Sequence, residues 1–178
     1  MPANHVRFPA ASGHASITPM KRVIRSPLVP ETGGPFNLCV VHDGMVYVSG
    51  LPPFEAEYCA ALRAARAAGQ PPPPFPELPF EQQTRIVMDH MKALLEAAGS
   101  GMDHLLKVIV WLRDQGQQEQ FDRIYRTYFS GPEALPARTR MQAGRTPMDC
   151  ALEVEAIGYI PVPERLLVAV ADTGPATE

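Results

Sequence analysis

Glu81–Leu112, EQQTRIVMDHMKALLEAAGSGMDHLLKVIVWL, is the stretch that decides how this chain folds. In its first half Ile86, Val87, Met91, Leu94, Leu95 and Ala98 recur at three- and four-residue spacing, the period of one apolar helix face. Gly99 follows as a C′ glycine, so the spacing predicts a helix over Glu81–Ala98. Leu105–Leu112 (LLKVIVWL) is nearly continuous in apolar residues and reads as a buried strand. A helix followed closely by a strand predicts helices layered on a sheet.

Toward the C-terminus, a second amphipathic helix is expected from about Gln117 to Phe129, with Phe121, Ile124, Tyr125 and Tyr128 on one face. Two strands follow, about Arg138–Ala143 and Ala151–Ile160, joined by a turn through Thr146-Pro147-Met148-Asp149. Toward the N-terminus, Asp43-Gly44 separates Leu38–Val41 from Met45–Ser49, a strong hairpin signal because the turn needs positive φ. Lys21–Ser26 is a candidate edge strand stopped by Pro27. The order is β-β-β, α, β, α, β-β: an α+β domain whose two helices cover one face of a sheet. The other face must meet solvent or another subunit.

Between hairpin and first helix, residues 52–79 hold eight of the chain's 20 prolines around the alanine-rich stretch Glu55–Ala68. This reads as an insertion made of a short surface helix and a polyproline II spacer. The domain is expected to span 21–163, with a flexible arm at 1–20 and a loose tail at 164–178.

A chain of 178 residues, 46% hydrophobic, suits one domain. Its net charge of −3 and scattered basic residues exclude a nucleic-acid footprint. Cys39, Cys59 and Cys150 are too far apart for a CxxC pair and have no matching histidine spacing. They are expected to be reduced thiols, with no metal site. With no apolar leader and no run of roughly 20 apolar residues, a soluble cytoplasmic protein is expected.

The last two strands carry the candidate chemistry. Arg138, Arg140 and Gln142 alternate with Thr139, Met141 and Ala143, and Glu153 and Glu155 alternate with Leu152, Val154 and Ala156. The two strands are expected to be neighbours, so that guanidiniums and carboxylates project together from the side without helices. One reading is a solvated face of cross-strand ion pairs. The other is a carboxylate-binding pocket, with arginine as a bidentate fork and a glutamate tuned by burial as acid or base. The pattern alone leaves both open.

Three segments resemble one known family, the Rid proteins (reactive intermediate deaminases, or YjgF family). PFNLCVVHDGMVYVSGLPP (Pro35–Pro53) resembles their N-terminal signature, and QQTRIVMDHMKALLEAAGSGMDHLLKVIVWLRD (Gln82–Asp114) their central helix and strand. PARTRMQAGRTPMDCALEVEAI (Pro136–Ile157) resembles the C-terminal signature, with its PAR and E-x-E-A elements. The likeness covers about 21–53 and 80–161. It implies a chorismate-mutase-like fold with a mixed sheet, and a homotrimer with the sheets as an inner barrel and three sites between subunits. By position, Arg138 implies the arginine that holds the substrate carboxylate, and Glu153 the glutamate that positions or activates water. Ser49 and Gly50 match the SG element lining the pocket. The implied reaction is hydrolysis of a 2-imino or enamino acid to a 2-oxo acid and ammonia, without cofactor, because a protonated imine is already electrophilic.

The chain departs from the family at two site positions. Phe36 stands where members typically have tyrosine, and Arg140 where many have cysteine. Arg140 is expected either to pair structurally, for example with Glu155, or to act as a second clamp for a dicarboxylic substrate such as an aminomuconate. The insertion, rooted two residues after Gly50, is expected to be either surface decoration or a lid. The rival function is a non-catalytic trimer that binds small carboxylates or 2-oxo acids. Cys39, His90 and Trp111 are read as packing residues.

Overall fold

Asp43 and Gly44 both take positive φ, 49° and 74°, as the Asp-Gly pair predicts. They turn β2 (Cys39–His42) back onto β3 (Met45–Leu51). The structure is a computed structural model that describes residues 20–162. Apart from Met20, the expected arm lies outside those residues, as does the expected tail.

Around the hairpin, β1 (Arg22–Ile24), β4 (Leu105–Leu112), β5 (Ala137–Gln142) and β6 (Leu152–Tyr159) complete one sheet, ordered β1-β2-β3-β6-β4-β5. The β4–β5 pair is parallel and the others antiparallel, so the sheet is mixed. One finding corrects the sequence reading: β5 and β6 are not neighbours, because β4 lies between them. The chain leaves β4, crosses over through a helix and returns parallel to it, the usual route for parallel strands.

α1 (Ala56–Ala67) lies in the insertion; α2 (Phe80–Ala98) and α3 (Gln118–Tyr125) cover one face of the sheet. α2 ends at Gly99 with φ of 85°, as its C′ position requires. α3 is shorter than its pattern suggests, because tighter 3-10 turns at Gln115–Gln117 and Arg126–Tyr128 flank it. Val87, Met88, Leu94 and Leu95 of α2 and Phe121 of α3 pack on Val46, Val108, Val110, Leu112, Leu152 and Val154. Gln83 sits inside this core as a polar tie. Its Oε1 accepts from the Ala151 backbone N–H at 2.7 Å and its Nε2 donates to Leu78 O at 2.7 Å.

β4 alternates in burial, where its composition suggested cover on both faces. Val108, Val110 and Leu112 are buried against the helices, while Ile109 and Trp111 are half-buried on the open face. Trp111 therefore does not fill the core. Val23, Tyr47, Met141, Ile157 and Tyr159 share this open face and are each 36–41% exposed. An apolar face of this extent is the kind that partner surfaces cover.

The insertion builds a second small core. Phe54, Tyr58, Cys59 and Leu62 cluster with Cys150, and Phe75 and Met148 pack against them. Tyr58 OH donates to Pro73 O at 2.8 Å, closing the proline run onto α1. Arg66 Nη1 donates to Thr32 O at 2.7 Å, and Arg63 Nη1 donates to Glu31 O. The segment is thus fastened both to the β1–β2 connection and to the turn before β6. Leu62 is 1% exposed at its centre. Leu62→Ala is expected to cost about 2–5 kcal/mol in denaturant unfolding, whereas a mere surface decoration would lose under about 0.5 kcal/mol.

Candidate active site

The pairing of β3 with β6 is regular from Met45 to Val48, then shifts before Leu51, which places Ser49 and Gly50 in an irregularity of the strand. Opposite them, Glu153 of β6 projects from the open face. Gly50 is required for close approach: a Cβ there would collide with Glu153 Oε1. Glu153 is half-buried, and burial, reinforced by the charge of Glu155, raises its pKa above the ordinary glutamate value. A carboxyl group of this kind can exchange a proton closer to neutral pH.

Ser49 does not present a free hydroxyl. Its Oγ donates to Asn37 O at 2.8 Å and its N–H donates to Leu38 O at 2.9 Å, so both polar groups anchor β3 to the loop before β2. Phe36, on that loop, is 52% exposed, with its ring beside Gly34.

Arg138 and Arg140 lie on the other side of the sheet. Their Cα partners on β4 are Val108 and Val110, whose side chains are buried under the helices, while Glu153 pairs with Trp111 on the open face. The expectation that the arginines and Glu153 share the helix-free face is therefore corrected. With β4 between β5 and β6, their strands are also about 10 Å apart. One small acid cannot bridge Arg138 and Glu153 within one protomer.

On the helix side the arginines form a cluster of their own with α3. Asp122 Oδ1 lies 2.8 Å from Arg138 Nη1 and 3.2 Å from Arg140 Nη1, and Asp122 Oδ2 lies 3.3 Å from Arg140 Nη1. Arg140 Nη2 donates to Gln118 Oε1 at 2.5 Å. The Arg138 guanidinium lies over Tyr125, 4.8 Å from its centroid, and 5.7 Å from that of Phe121. Tyr125 OH and Arg140 Nε are buried without a hydrogen-bond partner among the described residues. Burial pushes Tyr125 up to about 12, so its phenol stays protonated. Arg140 thus pairs with Asp122, not with Glu155, and its engagement by Asp122 and Gln118 leaves the expected dicarboxylate clamp without support.

Asp122 and Gln118 were missed by the sequence reading. They stand four residues apart, next to the Phe121–Tyr125 apolar stripe, and so rise from one side of α3 toward β5. Cys39 is fully buried and its thiol is pushed up to about 11, as suits packing. Cys59 and Cys150 are likewise free and buried. His90 is half-buried and its pKa is lowered by that burial. Among the described residues, no three His, Cys, Asp or Glu side chains gather as metal ligands, and no helix is long and apolar enough to cross a membrane.

Residues 27–160 match the profile of the Endoribonuclease L-PSP family, which takes in the Rid, YjgF and RutC proteins. The chain belongs to this family. RutC family protein PH0854 of Pyrococcus horikoshii is 29% identical over 140 residues, 79% of this chain and 98% of its own length. The protein named "Putative reactive intermediate deaminase TdcF" of Escherichia coli is 28% identical over 141 residues, 78% of this chain and 96% of its own. The crystal structure of YyfA from Yersinia pestis, described as a Rid-family protein of unknown function, superposes with a TM-score of 0.65 at 26% identity. It covers 79% of this chain and 99% of that one. The mixed α+β sheet with its helices is the fold of these Rid-family neighbours.

In this Rid-family chain Gly50 and Glu153 form a pair that can be tested directly. Gly50→Ala is expected to push the Glu153 carboxylate out into solvent, so its pKa, followed by carboxyl NMR, falls back toward the ordinary value. An unchanged titration would show that the carboxylate does not depend on the glycine.

Proposed function

We propose that this protein hydrolyses reactive 2-imino or enamino acids to 2-oxo acids and ammonia, at sites built between copies of the chain in a homotrimer. The observation that carries the proposal is the raised pKa of Glu153 over Gly50 on the open apolar face, with Arg138 on the opposite face at the edge strand. Neither residue can serve the other within one protomer. Docking the β5 edge of one copy against the open face of the next is the arrangement that unites them and also covers Tyr47, Trp111 and Ile157.

In that composite site Arg138 holds the substrate carboxylate through a charge-assisted pair. Glu153, ionised, takes a proton from a water molecule as its oxygen attacks the C=N carbon. The resulting hydroxy-amine collapses when the proton is passed to nitrogen, and ammonia leaves with a 2-oxo acid. Water and imine balance oxo acid and ammonia, with no change in oxidation state. The naming of TdcF as a reactive intermediate deaminase supports the reaction class. Net charge −3 and scattered basic residues favour a small acid over the RNA that the family's description names. The raised pKa of Glu153 is what catalysis asks for and simple carboxylate binding does not, so the non-catalytic reading is not favoured.

The test is oxo-acid release from 2-imino acids generated in situ, with spontaneous hydrolysis subtracted. Wild type is expected to accelerate release, and Arg138→Ala and Glu153→Gln each to lose about 100-fold or more in kcat/KM. Because Glu153 must be ionised, kcat/KM should fall as pH drops through its raised pKa, above the usual glutamate range. No acceleration with any imine would exclude the deaminase.

A further inference from the structure

We propose that Asp122 is an internal competitor for the substrate carboxylate: it holds Arg138 while the site is empty and passes wholly to Arg140 when an acid binds. The inference rests on Arg138 being the carboxylate site of the deaminase proposed above, and assigns roles to two residues which that reading leaves idle.

The cluster has two guanidiniums and one carboxylate, so it carries a net charge of +1 and is short of one anion. Its side chains are about a fifth to a quarter exposed, at 24% for Arg138, 18% for Arg140 and 27% for Asp122. A further carboxylate can therefore reach it, yet solvent does not screen it fully. Asp122 already lies between the two arginines, with Oδ1 shared and Oδ2 3.3 Å from Arg140 Nη1. Leaving Arg138 thus needs a small side-chain rotation, with the bond to Arg140 kept throughout.

Each arginine is fastened independently of Asp122. Stacking on Tyr125 and Phe121 keeps the Arg138 guanidinium in place after Asp122 departs. The Gln118 bond fixes Arg140 as the receiver, and its buried, unpartnered Nε is a donor in reserve. Without Arg140, a displaced Asp122 would face the incoming carboxylate in a half-buried site, where like charges repel strongly. Arg140 is therefore a positioning residue that removes the competitor; it does not touch the acid. A ligand lacking a carboxylate cannot make the exchange, which selects for acids.

Calorimetric titration of the intact oligomer with 2-oxobutyrate, a monocarboxylic probe of the product type, tests this, with thermal melting confirming that each variant is folded. Asp122→Asn is expected to tighten binding about tenfold, and Arg140→Gln to weaken it about tenfold. The double variant should bind like Asp122→Asn alone, because Arg140 matters only while the competitor is present. If Asp122 merely holds Arg138 in place, Asp122→Asn will weaken binding or leave it unchanged, and the proposal is overturned. If Arg140→Gln weakens binding equally when residue 122 is Asn, Arg140 contacts the acid and the proposal is again overturned. If Arg138→Ala binds as wild type does, or no form binds, the reading of Arg138 as the carboxylate site falls and takes this inference with it.

Discussion

The sheet is covered by helices on one face only, and the rest of the structure depends on that. Strand side chains alternate strictly, so each residue's number decides whether it lies under α2 and α3 or on the open face. Val108, Val110, Leu152 and Val154 form the core; Ile109, Trp111, Glu153 and Glu155, one residue away in each case, do not. The same alternation separates Arg138 from Glu153. The division that keeps Arg138 and Glu153 apart within one protomer also leaves an apolar surface on the open face.

Within that frame the two halves of the candidate site are prepared differently. Glu153 is shaped by backbone: the shift in β3 and the missing side chain of Gly50 let its carboxylate lie close in, where burial raises its pKa. Arg138 is shaped by side chains: a stacked aromatic platform and a carboxylate between two guanidiniums. The insertion supports the first half. Its apolar cluster closes over Cys150 and Met148, in the turn that feeds β6 three residues before Glu153, and Gln83 fixes the next backbone N–H. A segment rooted beside Gly50 therefore braces both strands that carry the Gly50–Glu153 contact.

Much of this was readable from sequence because it is local. The period of α2, the Asp-Gly turn and the Gly99 stop each depend on residues within a few positions of one another, and all appear where expected. Strand order does not depend on local residues. The short link between β5 and β6 suggested neighbours, yet 24 residues containing α3 separate β4 from β5, long enough for the crossover that brings β5 beside β4. The charged set of β5 was also read onto the open face, whereas pairing with β4 sets Arg138 and Arg140 opposite Val108 and Val110, on the helix side. Asp122 escaped notice because an acidic residue on an amphipathic helix looks like solvated surface until its partner strand is known. The Rid resemblance singled out Arg138, Gly50 and Glu153 as candidates, but it carried no information about a residue that departs from the pattern, such as Arg140.

In the proposed site, Arg138 of one copy works with Glu153 of another. Arg138→Ala and Glu153→Gln proteins, each inactive alone, should be unfolded together, refolded as mixed oligomers and assayed for imine hydrolysis. If the site is composite, an equal mixture regains activity, up to about a quarter of wild type, because one interface in four pairs an intact arginine with an intact glutamate. A mixture as inactive as its two parents, with mixed oligomers shown to have formed, would contradict it.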